Sequence, residues 1–299
     1  MAYTQLTAEG KQFIRKVCVG NDNTLLRGKS SYTIKDTASR LYNPDGVLPF
    51  CNPATLPSKY WQSSAKHGTA NIITNQRLGE ALIEWFDKYG EIFEMDANII
   101  AAQAYAESGY KLWNYPLTSS ASGIGQFTLD TTYAVIISNK FSSKSEYRFT
   151  IDEIAAITKG CTGNTTDNNT FSVKLLIGRT NRPFVHQNIC DNPEIMIKAQ
   201  FNYMKYISSK CNGLASSTLF GYNRGPNLPV TPSYTQSISN AKNPERGKDY
   251  ELEGIGYVYK IFNLLGKDTN PNGWFGYKHL DLTASYNSYD AEVAESNIT

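Results

Sequence analysis

Residues 96–109 read Asp-Ala-Asn-Ile-Ile-Ala-Ala-Gln-Ala-Tyr-Ala-Glu-Ser-Gly, and this stretch decides the fold class. Asp96 is an N-cap residue type, with a carboxylate able to accept from the first unpaired amides of a helix. Ile99, Ile100, Ala101, Ala102, Ala104 and Ala106 then fill nearly every side of the spiral before Ser108-Gly109 ends it. A helix apolar almost all round sits in the middle of a helical domain, because each side needs an apolar neighbour. The chain supplies such neighbours. Leu78, Leu82, Trp85, Phe86 and Tyr89 share one helical face, with Gly90 expected as the stop. Thr150-Ile151-Asp152-Glu153 has the capping-box pattern and opens a run to Lys159. Asp191-Asn192-Pro193 opens a longer helix with Met196, Ala199, Tyr203 and Ile207 on one face. Leu214 to Tyr222 reads as a short helix, and the last runs from about Tyr250 to Leu265, stopped by Gly266. A further short amphipathic helix over residues 7–19 carries Phe13, Ile14 and Val17. Few segments alternate with period two, so the fold is expected to be mainly α.

The segments between are irregular. From Gly20 to Gly68 the pattern is broken by Pro44, Pro49, Pro53 and Pro57, giving an extended, aromatic-studded stretch. Gly160 to Thr170 reads as a loop, Asn223 to Asp249 as a long Pro, Ser and Asn-rich one, and residues 270–299 as a polar tail. The expected division is an arm over 1–74, a helical domain over 75–266 and a tail over 267–299.

The chain has 299 residues with 29 Lys and Arg against 27 Asp and Glu, a net charge of +2. That balance excludes a strongly basic nucleic-acid binder, which needs a clustered cationic excess against phosphate. Hydrophobic residues at 40% suffice for a core. Tyr 20, Phe 13 and Trp 4 provide flat, half-polar surface of the kind that suits sugars or a protein partner, although most aromatics fill core. The five cysteines, Cys18, Cys51, Cys161, Cys190 and Cys211, are scattered and form no CxxC pair, and His67, His186 and His279 form no HExxH. Buried thiols, ordinary histidines, no metal and no cofactor are therefore expected. No stretch of about 18 apolar residues exists, so no membrane insertion is expected. The start, Met1 to Thr7, lacks the basic and apolar runs of a secretion signal.

Chemistry is to be sought where an ionisable group falls on an apolar element, since burying a charge costs stability. Glu107 shares a helical face with Ile100, Gln103 and Ala104 and falls in the last turn, where exposed carbonyls make the field negative. Both effects disfavour a carboxylate and suit a general acid for glycoside cleavage. The plainer alternative is a carboxylate that reaches water at a helix end.

Three segments weigh on that choice: Ala106-Glu107-Ser108-Gly109-Tyr110; Ser119-Ser120-Ala121-Ser122-Gly123-Ile124-Gly125-Gln126-Phe127; and Leu219-Phe220-Gly221-Tyr222-Asn223-Arg224-Gly225-Pro226. In this order they resemble the soluble lytic transglycosylase family, related to goose-type lysozyme, over residues 75–266 or so. The helix from Asn192-Pro193 through Tyr203 to Tyr206, and Glu253 with Tyr257-Val258, are weaker echoes. The sequence departs from the family at Gly125, where Met is common, at Arg224, where Ala is usual, and at Gly254, where Thr is usual. Residues 138–190 are longer and more polar than a minimal member needs and would form an added subsite wall.

The resemblance implies a lysozyme-like helical domain that cleaves peptidoglycan between N-acetylmuramic acid and N-acetylglucosamine. Glu107 would protonate the glycosidic oxygen, the acetamido group would stabilise the sugar cation, and Glu107 would then deprotonate the C6 hydroxyl as it closes on C1. A 1,6-anhydromuramic end results, and no water is consumed. Two-carboxylate hydrolases instead hold their pair within about 5–9.5 Å; here the next acid after Glu107 is Asp130. The resemblance further implies substrate-binding roles for Ser108, Gln126, the backbone at Ile124, Tyr222, Asn223 and Glu253, with core packing the plainer alternative for Tyr222 and a simple helix end for Ser108. With no secretion signal, delivery in a phage tail or baseplate is expected, with the arm and tail as docking surfaces for tail proteins. The other readings are a water-using, endolysin-like muramidase and a glycan-binding structural tail component without activity.

Overall fold

The computed structural model describes residues 3–20, 32–33, 47–48, 61–63, 71–73, 75–112, 121–161, 181–211, 213–225, 248–266 and 273–276. About 70% of these are helical, as the mainly α reading expects. The helices are α1 (Ala8–Gly20), α2 (Asn75–Phe93), α3 (Ala97–Ser108), α4 (Leu129–Thr132), α5 (Ile151–Thr158), α6 (Arg182–Asp191), α7 (Pro193–Lys210), α8 (Ala215–Arg224) and α9 (Lys248–Leu265). A π turn at Tyr133–Ile137 continues α4, and a 3-10 turn covers Ser145–Tyr147. Two short antiparallel pairs, Tyr32–Thr33 with Val47–Leu48 and Trp61–Ser63 with Asn71–Ile73, fall in the expected arm, all but Asn71–Ile73 within the stretch expected to be irregular. The rest of that stretch lies outside the described residues. So do nearly all of the expected loops at 160–170 and 223–249, and the tail beyond Gly276.

The chain divides into two compact units. The first comprises Met1–Phe13, Phe86–Ala106 and Phe201–Thr299; the second comprises Ile14–Trp85 and Glu107–Gln200. These bounds differ from breaks at 74 and 267. In the first unit the Phe13 ring lies 4.9 Å from Tyr105, 5.4 Å from Phe275 and, stacked, 5.3 Å from Trp274. Thr7 donates its backbone N–H to Asn98 Oδ1 at 2.9 Å and its hydroxyl to the Phe275 carbonyl at 2.7 Å. Residues assigned by sequence to the arm and tail thus build the same core as α3. Phe93 and Phe201 stack at 6.1 Å beside Phe86, each ring's burial stabilising by about 2–3 kcal/mol.

Asp96 acts as the N-cap of α3, its Oδ1 accepting from the Asn98 N–H at 2.9 Å. The expected stop of α2 at Gly90 is corrected: the helix runs to Phe93. The Met95 N–H bonds the Gly90 carbonyl at 2.9 Å and the Glu94 N–H bonds that of Glu91 at 3.1 Å. Glu94, at φ 53°, takes the left-handed position normally held by glycine. Gly90 is small for another reason. A Cβ there would stand 3.2 Å from that of Ala97 and 3.3 Å from the Tyr3 ring.

In the second unit α4 and α5 pack on α6. The Thr150 capping box forms, with Thr150 N–H to Glu153 Oε2 at 2.8 Å and Glu153 N–H to Thr150 Oγ1 at 3.2 Å. Glu153 is also held by the buried Lys198 ammonium at 2.8 Å, which donates to the Arg148 carbonyl as well. Cys18, Cys190 and Cys211 are buried, Cys161 is half-buried, and none of these four is in a disulfide. Burial pushes the Cys18 thiol up to about 12. Cys51, His67 and His279 lie outside the described residues.

Candidate active site

Glu107 is half-buried in the last turn of α3, and Ser108 beside it is buried. The chain turns sharply after them, because Gly109 (φ 63°) and Tyr110 (φ 60°) are both left-handed and the Lys111 N–H returns to the Ser108 carbonyl at 3.2 Å. Tyr110 is fully buried and anchors the turn, whereas among the described residues nothing lies within 4 Å of where a Gly109 Cβ would be. The helix thus ends with a half-buried acid at a sharp left-handed bend. In the first unit, Lys260 of α9 donates to the Ala106 carbonyl at 2.8 Å, a cation at the carbonyl end of α3, where the helix field favours one.

The segment 121–127 of the second unit is a tight hairpin. The Ser122 N–H donates to the Phe127 carbonyl at 3.1 Å, closing it. Gly123, at φ 74°, lies on Ile189 so closely that a Cβ would stand 2.6 Å from its Cγ2. Both the backbone angle and the packing require glycine there. Ile124 is buried as a whole residue, so the ligand contact expected of its backbone is corrected: it packs the hairpin and is not open to a sugar. Gln126 is half-buried and left-handed at φ 50°, and its Nε2 donates to the Gly123 carbonyl at 2.9 Å. His186 of α6 shares a 2.8 Å hydrogen bond, through Nδ1, with the Ser122 hydroxyl. Burial, and after it the Arg182 cation, push the His186 pKa down to about 3. Asp130 is exposed in the first turn of α4. Ser119 and Ser120 lie outside the described residues.

In the first unit α8 buries Ala215 to Gly221 and leaves Tyr222 and Asn223 half-buried at its C-terminal end. The Tyr222 ring lies 5.4 Å from Tyr203 of α7, whose phenol is pushed up by burial and by Tyr206. Arg224 is buried and its Nη1 donates to Asn223 Oδ1 at 3.3 Å, which orients that amide. Glu253 lies on α9, packed against α8, and its side chain is outside the described residues. Next to it, Gly254 is where α8 and α9 meet: a Cβ would stand 2.6 Å from Phe220 Cε2 and 2.8 Å from Arg224 Cγ. The two departures at Arg224 and Gly254 are therefore one feature, the arginine stem lying over the missing side chain.

The expected residues thus fall into two sets. Glu107, Ser108, Ile124 and Gln126 belong to the second unit, and Tyr222, Asn223 and Glu253 to the first. Sequence reading did not single out His186, Ile189, Tyr203 or Lys260 for the site. Only Tyr203 carried a signal, as part of the buried face of α7. Among the described residues, no group of His, Cys, Asp and Glu is gathered as a metal site would need, and no helix is long and apolar enough to cross a membrane. No family model, curated protein or solved structure matches the chain.

Proposed function

We propose that this protein is a lysozyme-like lytic transglycosylase that cuts peptidoglycan between N-acetylmuramic acid and N-acetylglucosamine, with Glu107 as its single catalytic carboxyl. The observation that carries this reading is the setting of Glu107. It is half-buried in the carbonyl-end turn of an apolar helix, at a sharp left-handed bend. Such an acid can deliver a proton to a glycosidic oxygen and take one back. In the first step the proton of Glu107 goes to the leaving oxygen as the C1–O bond breaks, with the acetamido group of the muramic ring sharing the positive charge. In the second, the C6 hydroxyl bonds to C1 and its proton returns to Glu107. In the same unit as Glu107, the half-buried Gln126, its amide fixed by the Gly123 carbonyl, suits ring hydroxyls.

The exposed position of Asp130 favours this scheme over a two-carboxylate one. Glu107→Gln keeps the shape and removes the acid, and is expected to lower release of muropeptides from purified sacculi by at least about 100-fold at an unchanged melting temperature. Asp130→Asn is expected to retain activity. Full activity in the first variant, or its loss in the second, would refute the assignment.

A further inference from the structure

Two side chains three residues apart on α6, and so on one face of it, back the 122–127 hairpin. His186 and Ser122 are both fully buried and joined by the 2.8 Å hydrogen bond. Ile189 presses on Gly123 from the same helix. Gly123 in turn offers the carbonyl that Gln126 meets twice, through its backbone N–H at 3.3 Å and its side-chain Nε2 at 2.9 Å. A continuous chain of contacts therefore runs from α6 to the Gln126 amide. Resting on the reading of Gln126 as a glycan-binding residue, we infer that His186 is a positioning residue which, with Ile189, clamps Ser122 and Gly123 and so fixes the carbonyl that holds Gln126. The pair is no nucleophilic dyad, since the Ser122 hydroxyl is fully buried and out of a sugar's reach. Part of the polar stretch 138–190 thereby acquires a role, as the support of the hairpin.

Three variants of the full chain test the clamp. His186→Asn keeps a hydrogen-bonding atom near the Nδ1 position. His186→Leu removes it and leaves the buried Ser122 hydroxyl stranded. Ser122→Ala with His186→Leu removes both partners, so no polar group is left unmet. Two independent readings are taken: hydrogen exchange of the Ser122 and Gln126 amides, and KM and kcat on soluble glycan strands. His186→Leu is expected to speed exchange at both amides and to raise KM by about tenfold, the factor carried by one hydrogen bond, with kcat changed less than about twofold. The Ile154 amide of α5 keeps its protection, and His186→Asn matches the unaltered protein in both exchange and KM. The double variant is expected to regain the melting temperature while keeping the raised KM and fast exchange. If KM and exchange recover along with stability, the pair is structural only and the inference is overturned. If the unaltered protein cuts no glycan, the functional reading falls and takes the role of Gln126 with it, while the exchange pattern alone decides whether the clamp exists.

Discussion

At neutral pH His186 carries no charge, because burial and the Arg182 cation one turn before it push its pKa down to about 3. In the unfolded chain the same ring titrates near the ordinary value of about 6.5. Between those two values the unfolded state binds the proton and the folded state does not, so acid favours unfolding. Stability from this group is complete above about pH 6.5 and falls as the pH drops towards 3, by up to about tenfold in the folded-to-unfolded ratio per pH unit. His186→Asn removes that slope. Urea unfolding at several pH values between 6.5 and 4 is expected to give a flatter profile for the variant, and parallel profiles would contradict the burial argument. The residue type alone made His186 an ordinary histidine. Its depressed pKa comes first from burial, which no local pattern announces, and then from Arg182 one turn away. Glu107 was legible for the opposite reason, since the apolar residues that bury its helix lie within three turns of it. The left-handed turn at Gln126 was hidden because glutamine carries no conformational signature of the kind Gly109 does.

The helices most legible in sequence are those whose ends are made by their own side chains. Thr150 with Glu153, Asp96 and Gly266 each fix a boundary through a hydrogen bond or backbone angle that the residue type predicts, and Pro193 is the first residue of α7. α6 was missed because its buried face includes His186, Asn188 and Asp191, so apolar periodicity does not mark it. Gly90 misled because a glycine required for close packing looks the same in sequence as one that ends a helix. Gly254 is the same case at the site, where α8 and α9 approach until Phe220 and Arg224 cover its Cα. Gly254→Thr is expected to destabilise by about 2–3 kcal/mol through overpacking. The urea midpoint reads this. An unchanged midpoint would mean that α8 and α9 can separate freely, contrary to the packing described.

At the scale of the whole chain, the expected site residues are divided between two compact units, and the described residues 3–13 and 273–276 of the flanks build the core of the first. Leu6 donates its backbone N–H to Asp87 at 2.7 Å, and Phe275 packs under Gly10, where a Cβ would stand 2.7 Å from its ring. Breaks read from composition differ from these bounds because Pro and Asn-rich stretches mark where regular structure stops, not where core contacts stop. The functional reading rests on one carboxyl doing two proton transfers with no water incorporated. The most direct test digests purified sacculi with the protein in water enriched in oxygen-18 and weighs the released muropeptides. The proposal predicts anhydromuramic ends, one water lighter than hydrolysed ones and free of oxygen-18. Reducing ends carrying one oxygen-18 would contradict it and mark a hydrolase.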